Sequence, residues 1–355
     1  MNRRSPASYF LITLSILAVA FVAPATALAA APQVAVGGQE GQNQDMSGTP
    51  EAQILREVLQ TGVAHEDFAR KARIDFFPAP DGNTFMMLVF EVDQEGLTFA
   101  PAPPPPAPAE GEAAAAPAEI GDVANLKAYG AVTTQSPEGQ LNVVHQFMSP
   151  FTIPVGGGDA TFSDTHSIGM TLVPGTYSLT WGVIEEGTNL ANVATEVLEI
   201  PSYTTGELKM TSVFVSAASE PQSDPFLPDT VYNGVRMGGV VFFDDIDRRL
   251  PRDSMIEVIY VVMGTQQDPT TMRPKLEVNY RILLDDPEAE EEVSVARFPT
   301  MTLETFSVGQ PIPLSQIQNL EAGKSYIFEI QAKDMVTEQQ LLKRIPFSLF
   351  AEEEG

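Results

Sequence analysis

Between residues 9 and 22 the chain carries an uncharged apolar run that includes Leu11, Ile12, Leu14, Ile16, Leu17 and Val19. Further on the spacing becomes helical: Ile54, Leu55, Val58 and Leu59 share one face. Thr49-Pro50-Glu51 supplies a helix start, with a hydroxyl cap, a proline in the first turn and an acid near the positive end. Gly62 offers the stop. From about Ala72 the period shortens to two. Residues 85–92 are almost continuously apolar, the mark of a buried strand. Leu141, Val143, His145 and Phe147 fall on one strand face, and Tyr177, Leu179, Trp181 and Val183 alternate with smaller or polar residues. With 193–200 and 208–215, this predicts about eight strands between Lys71 and Ala217.

Two proline-rich stretches break the pattern. Residues 99–118 contain Pro101, Pro103 to Pro106, Pro108 and Pro117 among alanines. They read as an extended, solvated insertion, because proline cannot donate to a strand ladder. Residues 219–232, with Pro221, Pro225 and Pro228, read as a linker. Beyond it Leu276, Val278, Tyr280 and Ile282 alternate without error with Glu277, Asn279 and Arg281, giving one buried face and one wet face. Residues 235–243, 255–263, 326–332 and 345–350 are further predicted strands, and 285–292 is an acidic turn. No Rossmann glycine pattern and no alternating helix signal occurs, so α/β folds are disfavoured.

The apolar run near the start follows Arg3 and Arg4 and precedes the small residues Ala27-Leu28-Ala29. Basic region, apolar region and A-x-A site together predict a secretory signal peptide at 1–29, cleaved after Ala29. Residues 30–48 are small and polar and are expected to be disordered. No later stretch reaches about 18 uninterrupted apolar residues, so no transmembrane segment is expected after cleavage. The expected location is the periplasm or the cell exterior. There are 47 acidic and 20 basic residues, for a formal charge of −27. That balance argues against nucleic acid or anionic membrane as partner. The absence of cysteine excludes disulfides, thiol nucleophiles and thiolate metal sites within this chain.

An internal echo bears on the fold. Leu172-Val173-Pro174-Gly175-Thr176-Tyr177 parallels Leu320-Glu321-Ala322-Gly323-Lys324-Ser325-Tyr326: a leucine, a turn glycine, then a tyrosine entering an alternating strand. Each resembles the tyrosine corner of immunoglobulin and fibronectin type III sandwiches. The fold class expected is all-β: two tandem sandwiches of this kind after the signal peptide and the short helix. The organisation is a helix and linker at 49–70, a first sandwich at 71–218, the 219–232 linker, a second sandwich at 233–350 and an acidic tail at 351–355. Together with Phe76-Phe77-Pro78-Ala79-Pro80-Asp81-Gly82 and 208–215, these corners also resemble the sandwich regions of GWxTD-domain and von Willebrand-type-A-related bacterial secreted proteins. The only tryptophan is Trp181, and neither the GWxTD signature nor the A-domain metal motif is present. The resemblance therefore implies fold and address, and no chemistry.

No residue is assigned to catalysis or to a cofactor. His145 sits on an apolar strand face and reads as a hydrogen-bonded core residue. His166, near Ser163, Asp164 and Ser167, could be imagined in a hydrolase, but no nucleophile elbow accompanies it. His65, beside Glu66 and Asp67, reads as solvent-exposed. Asp244, Asp245 and Asp247 are the calcium candidates, because closely spaced aspartates can supply several hard oxygens. Arg248, Arg249 and Arg252 could instead neutralise the same acids. Gly156-Gly157-Gly158 lacks the lysine and helix of a phosphate loop.

The expected function is non-catalytic: an interaction with another extracytoplasmic protein or an envelope component. A carbohydrate- or peptide-binding module is the alternative, and a hydrolase around His166 or His145 a further one. The leader gives a first test. Cleavage after Ala29 makes Ala30 the mature N-terminus, to be read by N-terminal sequencing of the exported protein; an exported form still beginning near Met1 would make it membrane-tethered.

Overall fold

The structure, a computed structural model, describes residues 49–102, 121–136, 138–155, 165–188, 190–243, 245–288 and 291–350. The expected leader, residues 30–48, the insertion from 103 onward, the triglycine and the acidic tail lie outside the described residues. The helix forms as its caps dictate. The Thr49 hydroxyl accepts from the Ala52 N–H at 3.3 Å, and α1 (Pro50–Thr61) ends at Gly62, whose left-handed φ of 68° lets its N–H reach the Val58 carbonyl. Among the described residues no helix is long and apolar enough to cross a membrane.

The rest is mostly β. The first strands are β1 (His65–Glu66), β2 (Arg70–Pro78), β3 (Thr84–Val92), β4 (Ala100–Pro101), β5 (Asp122–Gln135), β6 (Leu141–Pro154), β7 (Thr165–Leu172), β8 (Gly175–Glu185) and β9 (Ala191–Ile200). Then come β10 (Lys209–Met210), β11 (Phe214–Ser216), β12 (Ala218–Pro221), β13 (Tyr232–Asn233), β14 (Val235–Met237), β15 (Val240–Phe243), β16 (Arg249–Pro251) and β17 (Met255–Met263). The last are β18 (Leu276–Leu284), β19 (Ser294–Arg297), β20 (Met301–Leu303), β21 (Ser307–Pro313), β22 (Ser325–Asp334) and β23 (Gln340–Phe350).

They form several sheets, antiparallel throughout except for the parallel pair β16–β23. A first sheet runs β1-β9-β8-β5-β4, with β6 also on β5; a second runs β13-β7-β3-β2. Met86, Leu88, Phe90, Ile168 and Met170 of the second meet Leu126, Leu179, Trp181 and Val183 of the first in one core. Gly130 makes room there, since a Cβ on it would lie 2.7 Å from both Phe147 and Trp181. The helix lays Leu55 and Val58 on the opposite face of the first sheet, against Tyr129, Ile184 and Val193. A fourth sheet (β10-β17-β11, with β21 on β17) faces a fifth (β16-β23-β22-β18-β19, with β20 on β18). Val258, Tyr260 and Val262 of the fourth meet Val278, Tyr280, Phe328 and Phe347 of the fifth.

The third, small sheet, β12-β15-β14, departs from expectation. Residues 235–243 form a hairpin rather than one strand, because Gly238-Gly239 turns the chain and Gly238 takes a φ of 60°. The 219–232 segment is not free of pairing: it carries most of β12, and Tyr232 belongs to β13, which completes the second sheet beside β7. The hairpin residues Val235 and Phe242 join Phe77, Met87, Val89 and Phe214 in a separate apolar layer, in which Phe77 and Phe214 stack at 5.2 Å.

Both tyrosines of the internal echo are buried, and both hydroxyls bond to backbone. Tyr177 donates to the Val173 carbonyl at 2.8 Å. Tyr326 accepts from the Glu321 N–H at 2.8 Å, and Gly323 turns the chain between them with a φ of 79°. Arg252 fixes the approach to that second corner by donating to the Leu314, Ile317 and Leu320 carbonyls at 2.8–2.9 Å. Urea melts of the full chain test these bonds. Tyr326→Phe strands the Glu321 N–H and should cost about 0.5–1.5 kcal/mol. Tyr326→Ala also leaves a cavity and should cost about 3–5 kcal/mol. An Ala variant within ~0.5 kcal/mol of the parent would show that the residue behaves as a surface position.

Candidate functional site

Among the described residues a recess near the start of the β-structure brings several charged side chains together. It lies where the chain passes from the first sheet, at β1, to the second, at β2. Local bonds hold that crossing. Asp67 exchanges main-chain and side-chain bonds with Ala191: its N–H donates to the Ala191 carbonyl at 3.0 Å, and its carboxylate accepts from the Ala191 N–H at 2.9 Å. Asn192 donates through Nδ2 to the Phe68 carbonyl at 2.6 Å, and Asp93 N–H donates to the Ala69 carbonyl at 2.9 Å. The result is a cleft of about 840 Å³ between β2 and β9. It stays open because Ala69, Ala72, Gly96 and Ala194 on its walls are small.

Arg70 lines the cleft. Its Nε donates to Asn192 Oδ1 at 2.6 Å, and its guanidinium lies 3.6 Å from the centroid of the Trp181 ring. Stacking of this kind holds a cation flat against an aromatic face. The Trp181 indole N–H in turn donates to Glu196 Oε1 at 3.3 Å. Burial lowers the Arg70 guanidinium to about 10, against the charge of Glu196, which raises it; it stays protonated at neutral pH. Glu66, Asp67, Asp93, Glu95 and Glu196 line the walls, so one held cation faces five carboxylates. The arrangement can fix a ligand's orientation through polar contacts and attract positive charge.

The sequence-derived candidates fall elsewhere. His145 is half-buried, with Nε2 2.8 Å from Asp229 Oδ1. His65 lies 3.8 Å from the Glu57 carboxylate. His166 and Ser167 point to opposite faces of β7. His166 packs between Phe90 and Phe151, while the Ser167 hydroxyl donates to the Gly234 carbonyl at 2.7 Å. Ser163 and Asp164 lie outside the described residues, as does Asp244. Asp245 accepts from Arg249 Nε at 2.9 Å and from the Asp247 N–H at 2.8 Å, and Asp247 faces Lys71. Those two acids are thus turned onto cations of their own chain. Next to them Glu91, raised above the usual carboxylate range by burial, accepts from the Ile246 N–H and the Thr165 hydroxyl.

Sequence reasoning missed the Arg70, Trp181, Asn192 and Glu196 constellation. The signal available was the sole tryptophan in a strand, with no local spacing to link it to an arginine 111 residues away. Comparison of the chain with protein-family models and with curated proteins finds no match to either.

His166 yields a prediction in pH. Burial lowers its imidazole to about 4, and among the described residues its buried Nε2 has no hydrogen-bond partner. An unfolded histidine titrates near 6.5. Above that pH both states are neutral and His166 adds no pH dependence. As pH falls from 6.5 toward 4 only the unfolded state takes the proton, so stability is lost, by about 3 kcal/mol at the lower limit. Urea unfolding of the parent and His166→Phe at neutral pH and near pH 4.5 should show the parent losing about 2–3 kcal/mol more than the variant. Equal losses would mean that native His166 protonates as easily as unfolded histidine.

Proposed function

We propose that the chain is a non-catalytic recognition protein of the periplasm or cell exterior that docks on another extracytoplasmic protein or envelope component. In this reading the first and second sheets, and the fourth and fifth, are two tandem immunoglobulin- or fibronectin-III-like sandwiches. The two tyrosine hydroxyls bonded back to backbone, each at the entry to a strand of a facing sheet pair, support that reading of the fold. The observation that carries the functional reading is the cleft between β2 and β9. Its walls are the edge strand β2, part of β9 and the segments at 67–69 and 93–96, and Arg70, Asn192 and Glu196 are fixed by internal bonds before any ligand arrives. Preorganised polar groups in a recess are what binding sites use to give orientation at low entropic cost. Of the two binding alternatives, peptide suits it better than carbohydrate, because Trp181 is fully buried and offers no exposed stacking face.

Zero-length carbodiimide cross-linking on intact producing cells tests the proposal. It should give one reproducible adduct between this chain and another protein of the extracytoplasmic fraction, and the adduct should diminish when excess purified chain competes. A chain that fractionates with the cytoplasm, or forms no adduct, overturns the reading.

A further inference from the structure

We infer that the cleft accepts an extended, lysine- or arginine-bearing segment of a partner protein, which adds as a strand to the free edge of β2. The inference rests on the recognition reading above and names the chemistry of its partner.

Main-chain geometry carries the first half of the argument. β2 is the outer strand of the second sheet. At Phe76 the N–H donates to the Ser212 hydroxyl at 3.0 Å, and the carbonyl accepts from the Ser212 N–H at 3.2 Å and the Tyr203 hydroxyl at 3.0 Å. These bonds point away from β3, so the even-numbered residues of β2 direct their main-chain groups outward. The same alternation turns the N–H and C=O of Arg70, Ala72 and Ile74 to the open side, where the described residues place no strand. An unpaired edge of this kind is a template for an added strand.

Side chains carry the second half. Basic residues on an edge strand ordinarily repel an incoming strand, and β2 contains Arg70, Lys71 and Arg73. All three are committed elsewhere. Lys71 pairs with Asp247 and Arg73 with Asp75, both at odd-numbered positions on the face turned from the cleft. Arg70 lies flat on Trp181, held by Asn192. What faces the open space is the carboxylate set of Glu66, Asp93, Glu95 and Glu196 around the small Ala72 and Ala194. A strand paired to Ala72 would point alternate side chains into that space, toward Glu196. Cationic side chains there meet complementary charge, and the formal charge of −27 steers such a partner from a distance.

The chain carries its own reporter, since its one tryptophan is the ring beneath Arg70 and bonded to Glu196. Titration of the purified protein with a capped heptapeptide alternating valine and lysine should shift Trp181 fluorescence and give saturable binding by calorimetry, weakening as salt rises. Peptides with serine or glutamate in place of lysine should bind at least roughly tenfold more weakly. Glu196→Gln keeps an acceptor for the indole and loses the charge; it should weaken the lysine peptide by roughly tenfold. Ala72→Pro removes one outward N–H, and Ala194→Leu fills the cleft. Each should abolish saturable binding while leaving the thermal midpoint within a few degrees, which separates lost binding from lost fold. The inference falls if the lysine peptide binds no better than the serine peptide, or if Ala72→Pro and Ala194→Leu bind like the parent. If cellular adducts still form in that case, with their cross-links mapping away from Glu66 and Glu95, the recognition reading stands and only this assignment of the cleft fails.

Discussion

Strand β3 is buried on both faces, and the packing of the chain follows from that constraint. Its even-numbered residues Met86, Leu88 and Phe90 fill the core against the first sheet, and its odd-numbered Met87 and Val89 fill the layer that holds Phe214 and the 235–243 hairpin. A one-residue slip of β3 would exchange these two sets. The register is therefore held from both sides at once, through Phe76↔Met86 to β2 and Met86↔Met170 to β7. Phe214 lies on this outer layer while its neighbour Val215 enters the core between the fourth and fifth sheets. Alternation along β11 thus joins the core of the fourth and fifth sheets to this outer layer, and alternation along β3 joins the layer to the core of the first and second, without disulfides.

An acidic chain with few cations has to place them well. Glu329 is fully buried between Arg281 and Arg344 on adjacent strands. Burial alone would raise its carboxyl, but the bonds from the two arginines outweigh this and hold it below the usual range. Removing one arginine would leave a buried charge short of partners, a larger loss than the pair's net gain. Glu292, from the acidic 285–292 turn, closes the same network over Arg281 and Arg344. Arg70 differs from these cations: it is held by an amide and an aromatic ring instead of a direct ion pair, and it belongs to the cleft.

Much of the fold was legible wherever the determinant is local. Thr49, Pro50 and Gly62 mark the helix because capping is a matter of a few neighbouring residues. The strand that begins at Leu276 follows from strict alternation as far as Ile282, and the doubly buried β3 from its almost continuous apolar run. Both tyrosines announced themselves through a turn glycine two or three residues upstream. What was not legible depends on distant pairings. The 219–243 region reads as linker plus strand until β12 meets β15 and β13 meets β7, and only the glycine pair hinted at its hairpin. The cleft is the extreme case, because Arg70 and Asn192 are 122 residues apart and their neighbours in sequence carry no shared motif. Asp245 and Asp247 looked like a cluster for the same reason in reverse, since the lysine that takes Asp247 is 176 residues away.

The late arrival of β13 has a bearing on biogenesis. Tyr232 and Asn233 pair with Ser167 and His166, Gly234 N–H donates to the Thr165 carbonyl, and Asp229 N–H donates to the Gly169 carbonyl. The outer side of β7 is thus covered by a segment that follows it by about sixty residues. Until that segment is synthesised, β7 presents a bare edge of unpaired main-chain groups able to join the same edge of a neighbouring nascent chain. Chain order therefore sets an interval of vulnerability in which escort or dilution, more than final stability, governs how much protein reaches its native form.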